Sequence, residues 1–316
     1  MNRTSSYKSN QFLWLVFKLL TVILCGYFIY DTIANNKDLK LIDFYSKMIN
    51  FNVFSIKNIV LLLLFTLINW FLEIKKWKIL AKRVTEISLI EATRQSLSSL
   101  TFSLITPNRI GEYGAKALYF KKEKRKQVLL LNFVGNFYQL LTTILLGIIG
   151  VVYLIACFSF SFITIQKSIL ILLVAIIFST VLFFLQKKFQ FLNRWIKKII
   201  EAIRFKNNTS ILFLSLLRYL VFSHQFYFLL MIYDVDISYL NAMSGIVSMY
   251  LIASCIPIIS LFDFVVKGSV AILVFSLFNV NILSVLSITT IMWIFNFAFP
   301  ATLGSYFVLQ FKPVEE

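Results

Sequence analysis

A chain of 316 residues that is 59% hydrophobic and 14% charged, with a mean hydropathy of +0.83, is not a soluble domain. Its apolar runs reach the roughly 20 residues a helix needs to cross a bilayer core, and barrel-type alternation is missing, so the class is an all-α polytopic membrane protein. The formal charge of +17 would suit nucleic acid, but the basic residues sit in loops beside apolar runs, the pattern of cytoplasmic membrane flanks, which argues against that partner.

In chain order, the first apolar run, Phe12 to Tyr30, resembles a signal sequence without a cleavage site and reads as an uncleaved anchor. Cys25, Cys157 and Cys255 lie in or beside apolar runs, with neither metal-ligand nor disulfide spacing, and Val22-Ile23-Leu24-Cys25 is no lipid-attachment box. The 31–57 loop, placed outside, carries Lys37, Lys40, Lys47 and Lys57, only partly diluted by Asp31, Asp38 and Asp43. A second crossing follows at 58–74. On it Asn69 and Glu73 share a face, as do Trp70 and Trp77; Lys76 or Lys78 can pair Glu73, while the tryptophans suit an interface belt. Lys75, Lys76, Lys78, Lys82 and Arg83 then form the first basic cluster, and Lys121, Lys122, Lys124, Arg125 and Lys126 the second.

Between those clusters, residues 86–120 must begin and end on one face. Glu86, Glu91, Arg94, Gln95 and a run of serines make 86–106 too polar for lipid, Ser88 and Glu91 form a capping box, and Pro107 with Gly111 marks a break. A re-entrant hairpin satisfies all of this, provided protein or a wet cavity covers it. Crossings at 128–157 and 166–185 follow. The segment 186–208 is a basic cytoplasmic linker, and within it Leu192, Trp195, Ile196, Ile199, Ile200 and Ile203 recur at helical spacing opposite Arg194, Lys197, Lys198 and Arg204, which suits an amphipathic helix on anionic lipid. A crossing at 210–233 leads to a loop without lysine, a second hydroxyl-rich hairpin spans 238–279 with a break at Pro257, and the last crossing runs 282–309. The expected architecture is therefore one membrane domain, 1–316, of about six full crossings and two broken hairpins. Repeats 58–157 and 210–309 are inserted in opposite directions, as in many secondary transporters. Positive flanks put both termini in the cytoplasm of a bacterial inner membrane.

Each hairpin carries the same chemistry. Glu112 precedes Lys116 by four residues and Asp263 precedes Lys267 by four, so each pair shares a helix face. Charge inside a membrane segment is a functional candidate by default. Two readings stand: the pairs only neutralise each other, or Arg109, Lys116 and Lys267 face a lipid phosphate while the carboxylates hold them. A proton-coupling role for Glu112 or Asp263 is a third. Asn132, Asn136 and Gln139 line one stripe of the third crossing, as cavity wall or as interhelical hydrogen bonds. Arg218 shares a face with Gln225; it is kept as a candidate for the substrate site, although a snorkel to the cytoplasmic surface is the preferred reading. His224, the single histidine, reads as a satisfied interhelical donor. No phosphate-cradling glycine loop, metal-spaced group or nucleophile with a histidine base is present, so neither an enzyme nor a cofactor or metal site is expected.

Thr106-Pro107-Asn108-Arg109-Ile110-Gly111-Glu112-Tyr113, Pro257…Asp263…Val266-Lys267-Gly268-Ser269-Val270-Ala271 and Asn136-Phe137-Tyr138-Gln139 resemble the lysylphosphatidylglycerol synthase transmembrane, or flippase-like, family over roughly residues 10–310. The resemblance is to stand-alone members without the soluble aminoacyl transferase half. It departs where members often carry glycine (Asn108), arginine (Lys116, Lys267) and glutamate (Asp263); lysine keeps the charge but loses the guanidinium fork that grips phosphate in two places. The resemblance and the site residues together lead to the expectation of a translocator of an anionic lipid or lipid-linked envelope precursor, with Pro107, Gly111 and Pro257 as hinges. The alternative is a non-transporting scaffold or regulator of an envelope lipid enzyme.

Overall fold

The computed structural model describes residues 53–104, 106, 109–158, 208–256 and 262–311, with isolated helical positions at 16, 23, 27 and 30. The crossing at 166–185, the amphipathic segment 189–206, Pro107, Asn108 and Pro257 lie outside the described residues, as does most of 12–30. All regular structure in the described residues is helical: α1 (Ile56–Ala81), α2 (Leu89–Leu104), α3 (Ile110–Leu118), α4 (Arg125–Cys157), α5 (Asn208–Ile232), α6 (Tyr239–Ser254), α7 (Asp263–Phe275), α8 (Ile282–Trp293) and α9 (Phe299–Leu309). Helix α1 runs seven residues past the expected end at 74, carrying Lys75, Lys76 and Lys78 of the basic cluster in its last two turns. Helices α1, α4, α5 and the joined α8–α9 are long and apolar enough to span a bilayer.

The two hairpins are shorter. Helices α2 and α6 have 16 residues each, about 24 Å of rise against a hydrocarbon core of about 30 Å. Two groups of contacts fix which ends lie together. At the basic end, Lys124 Nζ donates to Val84 O at 3.2 Å and Thr85 Oγ1 at 3.1 Å, Arg83 donates to Asn208 Oδ1 at 3.3 Å, and the Tyr119 and Phe311 rings meet at 4.7 Å. At the opposite end, Tyr153 donates to Asn241 at 2.9 Å, the Phe158 and Phe278 rings lie 5.2 Å apart, and Val53, Tyr233 and Val280 share one apolar cluster. Hairpin α2–α3 therefore enters and leaves at the basic end, and α6–α7 at the other.

Local chemistry makes these elements. The capping box that opens α2 has both arms: Ser88 N donates to Glu91 Oε2 at 2.6 Å, and Glu91 N to Ser88 Oγ at 3.1 Å. At the tip of the first hairpin, Arg109 takes the left-handed conformation (φ 57°), and Thr106 Oγ1 accepts from Gly111 N at 2.8 Å. A side chain at Gly111 would collide with the Phe102 carbonyl, so glycine is what lets α3 fold back on α2. Between α8 and α9 the chain passes through a five-residue π-helical stretch, Ile294–Ala298. Pro300 cannot donate to the carbonyl four residues back, that of Asn296, and Trp70 Nε1 takes it instead at 3.1 Å. Helix α2 packs on α9 and α6 packs on α4, while α1 and α5 pack together.

Candidate functional site

The polar interior is built from α1, α3, α4, α5 and the π-helical stretch. On α1, Thr66, Asn69, Glu73 and Lys76 recur at helical spacing, and all four are buried. Glu73 Oε2 lies 2.7 Å from Lys76 Nζ and 2.7 Å from Arg218 NH1, and Arg218 Nε donates to Asn69 Oδ1 at 3.0 Å. The Arg218 side chain is 16% exposed. Its reading as a snorkel to the surface is corrected: burial of Glu73 from a neighbouring helix makes the interior, not the headgroup region, the better solvent for this guanidinium. Asn69 donates to Asn296 at 2.8 Å, Asn296 to Gln225 at 2.8 Å, and Gln225 to Leu62 O at 3.1 Å and Thr66 Oγ1 at 3.2 Å.

A second group lies on α3. Glu112 Oε1 accepts from Lys116 Nζ at 2.9 Å, and Glu112 Oε2 lies 3.0 Å from Arg109 NH2. Lys116 also donates to Asn132 Oδ1 at 2.8 Å and sits 4.5 Å above the Trp77 ring. Trp77 donates in turn to Gln95 at 2.8 Å. Both tryptophans assigned to an interface belt are thus interior residues, 7% and 1% exposed, because each indole N–H has a buried acceptor. Asn136 donates to Tyr113 at 3.1 Å and Gln139 to the Ser215 carbonyl at 3.4 Å, so that stripe serves interhelical bonds.

The two groups form one site. They are joined through α1, where Trp77, beneath the Lys116 ammonium, directly follows Lys76, the partner of Glu73. In the other hairpin Asp263 is ion-paired to Lys267. Lys267 lies 5.7 Å from the Tyr250 ring centre. The N-termini of α3 and α7 both lie at hairpin tips, and each places a carboxylate in its first turn, where the helix dipole favours negative charge. Exposure is graded across the site: Lys116 and Glu112 side chains are 2% and 4% exposed, Arg109 and Lys267 42% and 37%. His224 bonds the Tyr239 hydroxyl of α6 at 2.9 Å and lies apart from the charges. No group of three His, Cys, Asp or Glu suited to a metal exists among the described residues.

Sequence reasoning gathered Arg109, Glu112, Lys116, Asp263 and Lys267 but missed Trp77, Gln95, Tyr113 and Asn296 as parts of the site, and gave Glu73 only Lys76 or Lys78 as partners. Asn296 had a legible signal: one amide in an apolar crossing, four residues before a proline. Over residues 13–304 the chain matches the family described as Lysylphosphatidylglycerol synthase TM region. The chain belongs to this family. Comparison with curated proteins and with solved structures returned no match. Membership ties this multi-pass membrane protein to lipid or envelope biosynthesis or flipping.

Proposed function

We propose that the protein translocates an anionic lipid, or a lipid-linked envelope precursor, between the leaflets of a bacterial inner membrane, without chemistry on the substrate. The observation that carries this reading is the opposed entry of two broken hairpins, each with a carboxylate and a lysine one turn apart in its returning helix: Glu112–Lys116 from the basic end and Asp263–Lys267 from the other. Broken hairpins inserted from opposite sides of a membrane protein are the architecture in which alternating exposure works.

The packing supports an inverted repeat of 58–157 and 210–309. Exchanging α1 with α5, α2 with α6, α3 with α7 and α4 with α8–α9 turns each principal packing pair into another that exists. The α2–α9 contact becomes α6–α4, α3–α4 becomes α7–α8, and α1–α2 becomes α5–α6. Small residues recur at the exchanged seams: a side chain at Gly304 would strike Leu97 and Thr101, and one at Gly150 would strike Val247 and Ser248. Rocking of one half on the other along these seams, about breaks near Pro107 and Pro257, exposes the headgroup pocket to each side in turn while the tails stay in lipid. The basic loops, with both termini, face the cytoplasm in this reading.

Leaflet exchange of labelled lipids in proteoliposomes tests it. Wild-type protein is expected to exchange at least one anionic lipid, and Glu112→Ala or Lys116→Ala to slow exchange while eluting as folded, monodisperse protein. Equal rates in equally folded variants would remove the site assignment. Absence of exchange for every lipid, together with co-purification of an envelope enzyme, would favour a scaffold docked through the basic loops.

A further inference from the structure

Among the described residues, charge does not balance in the interior. Lys76 and Arg218 flank Glu73, and Arg109 and Lys116 flank Glu112, so four cations share two carboxylates. The Asp263–Lys267 pair adds nothing to the difference. Every other described carboxylate, Glu86, Glu91, Glu123, Asp234 and Asp236, is exposed and away from the interior. Isolated charge in a low-dielectric interior is strongly disfavoured; a lysine can relieve it by losing a proton, but a guanidinium, which keeps its charge, needs a counter-charge. Around these triads, ion pairs apart, the buried groups left without a hydrogen-bond partner among the described residues are the donors Lys76 Nζ, Arg109 Nε and Asn132 Nδ2 against the acceptor Glu112 Oε2. Arg109 Nε and Asn132 Nδ2 are buried donors without an acceptor among the described residues, and the Asn132 residue is only 2% exposed. Asn132 Oδ1 is fixed by the Lys116 ammonium, which can only donate, so its free atom is the amide nitrogen.

From these two deficits we infer that the site takes a terminal phosphate, a monoester or pyrophosphate end bearing two negative charges, in preference to a phosphodiester or a zwitterion. This rests on the translocation reading for its lipid source but not for its chemistry. A terminal phosphate carries about −1.5 to −2 charges at neutral pH and three acceptor oxygens, against one charge for a diester. Its charge offsets the surplus of the two triads, and its oxygens are acceptors for the half-exposed Arg109. The half-exposed Arg109 and Lys267 are where such a group first arrives.

The experiment is equilibrium binding to the full-length protein in neutral detergent, above the second phosphate ionisation near pH 6. The probes are short-chain phosphatidic acid, phosphatidylglycerol and phosphatidylcholine, and inorganic phosphate. Phosphatidic acid is expected to bind at least about tenfold more tightly than phosphatidylglycerol, and phosphatidylcholine more weakly than either. Arg218→Met lowers the surplus to one charge and is expected to abolish the preference for phosphatidic acid over phosphatidylglycerol. Should Arg218→Met fail to fold, Lys76→Met makes the same test, and exposed Lys82→Met is the unchanged control. Tight inorganic phosphate with no lipid binding would keep the terminal-phosphate site and remove the lipid source, and with it the translocation reading. Equal affinity for phosphatidic acid and phosphatidylglycerol, or no binding of any probe, overturns the inference. Exchange of a diester lipid without this preference overturns it too, and leaves translocation standing.

Discussion

Trp77 serves three partners at once. Its ring lies under the Lys116 ammonium, its N–H bonds Gln95, and its edge meets Phe120 with ring centres 6.5 Å apart. Trp77→Phe keeps an aromatic face for Lys116 but strands the Gln95 amide, and is expected to cost about 1 kcal/mol of stability. Trp77→Ala also opens a void and is expected to cost about 3–5 kcal/mol. Thermal unfolding in detergent should order them wild type, Phe, Ala; an alanine variant as stable as wild type would mean the ring is not packed as described. Glu73 has a different logic. Glu73→Ala leaves Lys76 and Arg218 facing each other, an uncompensated buried charge expected to cost about 3–5 kcal/mol. High salt, which screens surface pairs such as Lys82–Glu86, should recover little of that loss.

Among elements, the hairpin tip and the π-helical stretch make opposite predictions. Gly111→Ala drives a methyl into the Phe102 carbonyl, so α3 must shift off α2; the expected loss is about 1–3 kcal/mol, with slower lipid exchange because Glu112 and Lys116 move with α3. Pro300→Ala returns an N–H to the Asn296 carbonyl and competes with Trp70 for it. Stability is expected to hold or rise while exchange falls, since the Asn296 side chain leaves Asn69 and Gln225 as the stretch regularises. A Pro300→Ala variant with normal exchange would show that the irregular helix serves packing alone.

For the whole molecule, the opposed hairpins are open to direct labelling. With the native cysteines replaced, a cysteine at Ser88 should react with an impermeant thiol reagent only from the side of the basic loops. One at Asn279 should react only from the other. Labelling of both from one side would contradict the opposed entry on which the translocation reading depends.

Composition, the long apolar runs and the basic loops determined the class, the spans at α1, α4, α5 and α8–α9, and the turning back of the chain at 86–120 and 238–279, because bilayer thickness and the cost of buried charge act on local sequence. The pairs Glu112–Lys116 and Asp263–Lys267 were legible for the same reason: four residues on a helix is a local distance. Tertiary structure alone decided that Arg218 reaches Glu73 from 145 positions along the chain, that Trp77 lies beneath Lys116, and that Asn296 closes a chain of amides from α1 to α5. Periodicity tells which face a residue occupies but not which helix that face meets. The second cation on Glu73, and hence the full surplus charge among the described interior residues, became visible only when the helices were packed.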